Sequence, residues 1–136
     1  MSPEFVDTNI FVYAEDGSAG EKHSGSVRLI ERLGEGGSGA LSTQVLAEFY
    51  SAAFHKLHLS SELAEQTMAG LAGWTLHRPD HADLIRAAHL HRRYKIQWWD
   101  ALIVNSALEL GCSILWTEDL RHGQRIGGLT VRNPFT

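Results

Sequence analysis

The sequence predicts an α/β fold with three layers, a central parallel sheet between two layers of helices. Three observations predict it. Short apolar runs recur along the chain, at Phe5-Val6, Ala40-Leu41 and Ser113-Ile114-Leu115-Trp116. Such continuous runs suit strands buried on both faces, as in parallel sheets. Between them lie stretches with helical periodicity, and alternation of strand and helix is the pattern of parallel strands joined by helical crossovers. The chain has 136 residues, 43% of them apolar and 21% charged. That suits one globular domain, so residues 1–136 are expected to fold as a single unit.

The elements follow in order. Phe5-Val6 reads as a buried strand that ends in the polar turn Asp7-Thr8-Asn9, with a helix starting near Ile10. Residues 15–26 are rich in Gly, Ser and charge and read as a loop. It overlaps the start of a helix around 21–34, marked by Val27, Leu29, Ile30 and Leu33 and ended by Gly34, Gly36, Gly37 and Gly39. After the short strand Ala40-Leu41, a helix runs from Ser42 to about Leu57 with Ser42 or Thr43 as N-cap. Its stripe of Val45, Leu46, Phe49, Tyr50, Ala53, Phe54 and Leu57 has the 3.6-residue period. Ser60 or Ser61 caps a helix to about Leu71. Trp74–His77 is a strand candidate, and Pro79-Asp80 opens a helix to about Arg93. Trp98 to Leu110 has the strongest helical pattern and stops at Gly111, a residue suited to the left-handed position after a helix. Ser113–Trp116 is a buried strand. Gly127-Gly128 turns the chain into the last strand, Leu129-Thr130-Val131, and Asn133-Pro134 closes it.

Composition excludes several classes. No apolar run approaches the roughly 20 residues of a membrane helix. Met1-Ser2-Pro3-Glu4 lacks the basic start and apolar core of a signal peptide. A single cysteine, Cys112, excludes an internal disulfide and a Cys-rich zinc site. A cytoplasmic protein without membrane association is expected. The net charge is −4, which by itself argues against a nucleic-acid binder. Its distribution is uneven: residues 1–68 carry 4 basic and 10 acidic side chains, and residues 69–136 carry 8 and 6.

Four of the acids fall where this fold brings residues together. Ligands of open α/β sheets bind beyond the carboxyl ends of the strands. Asp7 follows the first strand there, and Asp119 follows Ser113–Trp116. Glu48 lies within its helix beside the apolar stripe, where a lone carboxylate is costly to bury. Asp100 sits in the first turn of its helix, on the side of Ile103, Val104 and Ala107. Each has a plainer reading: an Asx-turn for Asp7, a solvated helix edge for Glu48, an N-terminal helix acid for Asp100, a cap for Asp119. Convergence of all four distinguishes the set.

These residues resemble a known family. Phe5-Val6-Asp7-Thr8-Asn9-Ile10-Phe11 is similar to the opening strand and D-T-N motif of PIN-domain nucleases. Ser42-Thr43-Gln44-Val45-Leu46-Ala47-Glu48-Phe49 resembles their second motif, Trp98-Trp99-Asp100-Ala101-Leu102-Ile103 their W-D-A-L-I motif, and Leu115-Trp116-Thr117-Glu118-Asp119-Leu120 their T-x-D motif. Asn133-Pro134-Phe135 is also typical. The likeness covers essentially the whole chain, and its compactness resembles the VapC toxins of bacterial toxin–antitoxin pairs. The resemblance implies a PIN-like fold and an endoribonuclease dependent on Mg²⁺ or Mn²⁺. It implies Asp7, Glu48, Asp100 and Asp119 as catalytic and metal-binding acids, with Thr8, Asn9 and, more weakly, Thr117 in support; Asp119, not Glu118, matches the T-x-D position, and Glu118 is a supporting candidate by adjacency alone. It also implies a homodimer, a VapB-type antitoxin partner and an RNA substrate, with tRNA and rRNA as candidates.

The chemistry is consistent with that set. Clustered carboxylates repel one another, and hard divalent cations with oxygen ligands relieve the repulsion. The expected reaction is attack of an activated water on a phosphodiester, leaving a 5′ phosphate and a 3′ hydroxyl. For RNA contact the candidates are Arg92, Arg93 and Lys95, ahead of Trp98-Trp99, with Trp98 as a stacking surface, and Arg121 and Arg125 after Asp119. The plainer reading is a solvated helix end and two core indoles. His55, His58, His89 and His91 lack zinc-site spacing. Phe49, Tyr50, Phe54 and the helix around 61–71 offer an apolar face to a partner, or ordinary core. Two other functions compete: a phosphatase of the haloacid-dehalogenase class, whose second acid would stand at Asn9, and a silent module that only binds RNA or a partner.

Overall fold

The computed structural model describes residues 2–136. The strands are β1 (Glu4–Val6), β2 (Gly39–Ser42), β3 (Thr75–His77), β4 (Ile114–Trp116), β5 (Arg125–Ile126) and β6 (Leu129–Arg132). The helices are α1 (Thr8–Glu15), α2 (Glu21–Gly36), α3 (Thr43–His55), α4 (Ser61–Gly70), α5 (His81–Tyr94) and α6 (Trp98–Glu109). The six strands form one sheet in the order β3-β2-β1-β4-β6-β5. All neighbours are parallel except β5 and β6. The expected three-layer architecture is therefore present, with one antiparallel edge.

The strand order positions the site. From β1 the chain builds outward on one side through β2 and β3, then returns to build the other side from β4. β1 and β4 are neighbours at that reversal, paired Glu4 to Ile114, Phe5 to Leu115 and Val6 to Trp116. Their carboxyl ends lie side by side at the crevice where such sheets bind ligands. Phe5, Val6, Leu41, Leu115 and Val131 are fully or almost fully buried, because helices cover both faces. The outer layers are α1 packed on α2 and α3, with α4 on α3, and α5 packed on α6, which lies against β2 and β4. α6 is buried from Ala101 to Ala107, so its apolar residues run all round the helix rather than along a stripe.

Several boundaries differ from the expected ones. Helix α1 starts at Thr8, because Asp7 itself takes the extended N-cap conformation and its carboxylate accepts from the Thr8 amide. The expected loop at 15–26 holds a 3₁₀ turn at Gly17–Ala19, and α2 begins at Glu21. α2 continues through Gly34 and Gly36, which carry no obligation to stop a helix. It ends at Gly37, which adopts φ +69° as the left-handed cap. Strand β5 has no counterpart in the expected elements. Two residues next to a Gly-Gly turn carry too short a pattern to register, and pairing with β6 defines them. Among the described residues, no helix is long and apolar enough to cross a membrane.

Gly39 is needed for a different reason from Gly37. A Cβ built there would lie 2.5 Å from the Trp74 ring, which itself packs against Phe11 at 5.6 Å between centroids. The indole lies over the start of β2, and only a bare backbone fits beneath it. Gly39→Ala is expected to lower stability by about 1–3 kcal/mol, the usual penalty for overpacking. Urea unfolding checks this; an unchanged midpoint would show that Trp74 moves aside freely.

Candidate active site

Four separate elements bring the acids together. Asp7 lies at the end of β1, Asp100 in the first turn of α6, Asp119 just after β4, and Glu48 on α3. One carboxylate oxygen from each of Asp7, Asp100 and Asp119 lies within 4.8 Å of the others. Among the described residues these three form the one such group, and no histidine joins it. Glu48 stands beside the trio rather than in it, and lines the same cleft of about 440 Å³.

Each residue of the Asp7-Thr8-Asn9 turn engages one acid. Asp7 is itself in the trio. The Thr8 hydroxyl donates to Glu48 Oε1 at 2.7 Å, and Gln44 reaches Glu48 Oε2 at 3.4 Å. The Asn9 amide donates to both oxygens of Asp119, at 3.1 and 3.3 Å. Thr117 couples the two strand ends. Its buried hydroxyl donates to Asp7 Oδ2 at 2.8 Å and accepts from the Asp119 amide at 3.0 Å. The site is therefore held in place by side chains adjacent to the acids.

Glu118 does not share the site. It accepts from the Tyr13 hydroxyl and pairs with Lys22 at 2.9 Å. Lys22 lies near the Tyr13 and Phe135 rings. Glu118 and Asp119 therefore diverge, the one turned to α1 and α2, the other to Asn9 and the acids. Burial pushes the Glu118 carboxyl up, but the bonds from Tyr13 and Lys22 bring it below its ordinary value. Its place is a brace that ties α1 and α2 to the loop carrying Asp119.

The trio titrates in the opposite sense. Asp7 is only 6% exposed, and its carboxyl is pushed up to about 7. Burial is the main cause; the bonds from Thr117 and Thr8 oppose it, and the charges of Asp119 and Asp100 add to it. Asp100 is pushed up to about 6 by burial and then by the charges of Asp119 and Glu48. Asp119 is raised by burial, Glu118 and Glu48. Without a counter-charge the trio resists full ionisation near neutral pH. A set of hard oxygen donors under that repulsion fits a divalent cation such as Mg²⁺ or Mn²⁺. Cys112 is buried and its thiol is pushed up to about 12, which leaves it inert as a nucleophile.

The candidate RNA contacts divide. Lys95 and Arg121 line a second depression that adjoins the acids at Asp100 and Asp119. Arg92 contacts His89 on the exposed side of α5. Arg93 lines a groove between α5 and α6 and covers the Tyr94 ring. Arg125 lies on the β5 edge. None of these three lines either depression. Trp98 is half-buried against His91, whereas Trp99 is 62% exposed and lines the acid cleft. Sequence reasoning missed Ser51, Ala52 and His55 of α3, and Lys56 just after it, as cleft residues. Helical spacing carries the signal for most of them: 48, 52 and 55 follow the i, i+4, i+7 pattern and share one face with Glu48.

Comparison with known proteins agrees with this geometry. A family model described as PIN domain matches residues 5–127. Comparison with curated proteins finds no match in sequence. Among solved structures, the chain is similar to one in a toxin–antitoxin complex from Klebsiella pneumoniae. The TM-score is 0.73 at 22% identity, over 96% of this chain and 97% of that one. It is similar to DNA-bound VapBC from Salmonella typhimurium, with a TM-score of 0.67 at 20% identity, over 98% and 99% of the chains. For Mycobacterium tuberculosis VapC20, a sarcin–ricin-loop-cleaving toxin, the values are 0.65 and 15%, over 82% and 85%. At these identities the likeness is one of fold. The family model spans nearly all of the sequence, and the chain belongs to the PIN-domain family.

Proposed function

We propose that this chain is a metal-dependent endoribonuclease acting as the toxin of a VapBC-type toxin–antitoxin pair. The observation that carries the reading is the trio of Asp7, Asp100 and Asp119 carboxylates, gathered within 4.8 Å at the floor of an open cleft. Those three residues would hold a Mg²⁺ or Mn²⁺ ion, with Glu48 beside them. The chemistry a bound divalent cation supplies is a lowered pKa for water and a counter-charge for the departing 3′ oxygen. The chain's own contribution is placement. Thr117 and Asn9 fix Asp119, Thr117 and the Thr8 amide fix Asp7, and Thr8 fixes Glu48. Cleavage leaves a 5′ phosphate and a 3′ hydroxyl.

Toxin biology enters through the company this fold keeps. The similar structures from Klebsiella and Salmonella are toxin–antitoxin complexes, and VapC20 is named for cutting the sarcin–ricin loop. By analogy of fold, a VapB-type antitoxin silences this chain by occluding the cleft, a homodimer is its assembly, structured tRNA or rRNA its substrate and the cytoplasm its place. The phosphatase reading is weaker, because the position that needs a second acid is Asn9, which instead donates to Asp119.

The test is end-mapping of total cellular RNA after incubation with the purified protein and Mn²⁺, beside Asp100→Asn. Wild type is expected to give discrete cuts with 5′ phosphates, lost in EDTA. Asp100→Asn is expected to lose them while keeping its circular dichroism spectrum. Full activity in that variant would remove Asp100 from the mechanism. Formation of an aspartyl-phosphate in place of RNA cuts would favour the phosphatase.

A further inference from the structure

We propose that the cleft is a groove open at both ends for one unpaired RNA strand, in which Trp99 stacks the base on the α3 side of the scissile phosphate. The inference rests on the ribonuclease reading and assigns how that site grips its substrate.

Two observations carry it independently. The first is the indole. Trp98 and Trp99 are adjacent at the start of α6, yet Trp98 packs inward while Trp99 stands 62% exposed at the cleft, next to Asp100. A large apolar ring left in water beside a reactive centre is a stacking surface available to a base. The second is the placement of cations. The cleft and the second depression share Gln97, Asp100 and Asp119, so they meet at the acids. His55 and Lys56 line the first, and Lys95 and Arg121 the second. Among the described residues, Lys56, Lys95 and Arg121 form no ion pair with any carboxylate.

A polyanion crossing a carboxylate cluster is repelled at its centre. Attraction must then come from both sides of the scissile bond. Lys56 serves the phosphates on one side, and Lys95 with Arg121 those on the other. The indole adds a term that does not depend on sequence, since every base has a π-face. A base inside a duplex offers that face to its stacked neighbours, so the nucleotide at Trp99 must be unpaired or extruded. With cations on both flanks, the groove favours cutting within a strand rather than trimming from an end.

The test is fluorescence anisotropy with a short, labelled, mixed-sequence RNA oligonucleotide in EDTA, beside its blunt duplex. Proteins compared are wild type, Trp99→Ala, Trp99→Phe, Lys56→Gln and Arg121→Gln. Trp99→Ala is expected to weaken single-strand binding by about fivefold or more, the lower end of the range for losing one stacked base. Trp99→Phe retains most of the affinity, and duplex binding is the same in wild type and both Trp99 variants. Each lysine or arginine replacement is expected to flatten the salt dependence by about 0.7, the single-strand value per phosphate. Equal single-strand affinity in wild type and Trp99→Ala overturns the proposal, including where the substitution instead changes sedimentation and marks an interface between copies. Cuts in total RNA by wild type in that case leave the ribonuclease reading standing and remove the stacking alone. Absence of both cuts and binding in wild type removes the underlying reading with it.

Discussion

Asp7→Asn is expected to abolish cleavage and, in metal-free buffer at pH 8, to raise the melting temperature. The two effects share one cause. Asp7 is buried and its carboxyl is pushed up to about 7, mainly by burial. Below about pH 4 the group is neutral in both folded and unfolded chains. Between about 4 and 7 the unfolded chain releases the proton and the folded chain holds it, so stability falls as pH rises. Above 7 both are ionised and the folded state carries the full burden. A rise from the ordinary carboxylate value of about 4 to about 7 corresponds to roughly 4 kcal/mol, an upper figure for what neutral Asn relieves. The Asn amide fits, because Thr117 can accept from it and the Thr8 amide can still donate to its carbonyl. A gain of order 5 °C is expected at pH 8, with little difference at pH 4. Saturating Mn²⁺ is expected to stabilise wild type by a few kcal/mol and to leave Asp7→Asn unmoved. Activity is expected to fall by more than the 10–100-fold typical of losing a residue that only supports a ligand. A destabilised variant at pH 8 would show that Asp7 serves the fold more than the metal.

Asp83→Ala is expected to produce the largest loss of stability away from the cleft. Asp83 is buried where β3, α5 and α6 converge. It accepts from Arg86 at 2.8 Å, from the buried Asn105 amide at 3.0 Å and from the Asp80 backbone at 2.8 Å. His77 stands 3.4 Å away and also bonds Ser106, and Arg86 extends the network to Glu109. Removing the carboxylate leaves the buried Asn105 amide and the Asp80 N–H without their acceptor, while Arg86 keeps Glu109 and His77 keeps Ser106, for about 2–4 kcal/mol. Urea unfolding measures it, and a loss under about 1 kcal/mol would mean that water replaces the carboxylate. Asp83 also sets an acid limit. Burial raises its carboxyl, but the bonds from Asn105, Asp80 and Arg86 outweigh this and hold it well below the usual range. Its contribution is present above about pH 4 and fades as pH falls. Asp7 and Asp83 are both buried carboxylates, and they tilt the stability profile in opposite directions because only one is given donors enough.

The sequence made this architecture legible where local pattern and chemistry agree. Phe5-Val6 before Asp7 and Leu115-Trp116 before Thr117 are apolar runs ending in polar turns, and they identify the two strand ends at the crevice. The helix bearing Asp100 is visible because residues 101–107 are almost all apolar. What stayed hidden depends on tertiary contact. Strand β5 exists only through its pairing with β6. Whether Glu118 or Asp119 faces the acid cluster is decided by Tyr13 and Lys22, which lie about a hundred residues earlier in the chain. Which tryptophan is exposed depends on the packing of His91 against Trp98, and neighbours on one helix differ in nothing a local pattern records. Asp83 escaped notice for the same reason, since its partners lie on three elements.

The position of β1 between β2 and β4 has a consequence during synthesis. The strand that leads to Asp7 is made more than a hundred residues before β4, which must lie beside it. A nascent chain that has not yet extended past residue 113 lacks both Asp119 and the strand that leads to it. Pairing so distant in sequence is also slow to form. The cleft is therefore completed only after β4 has been made and has docked beside β1, so its acids stay apart in a partly synthesised chain.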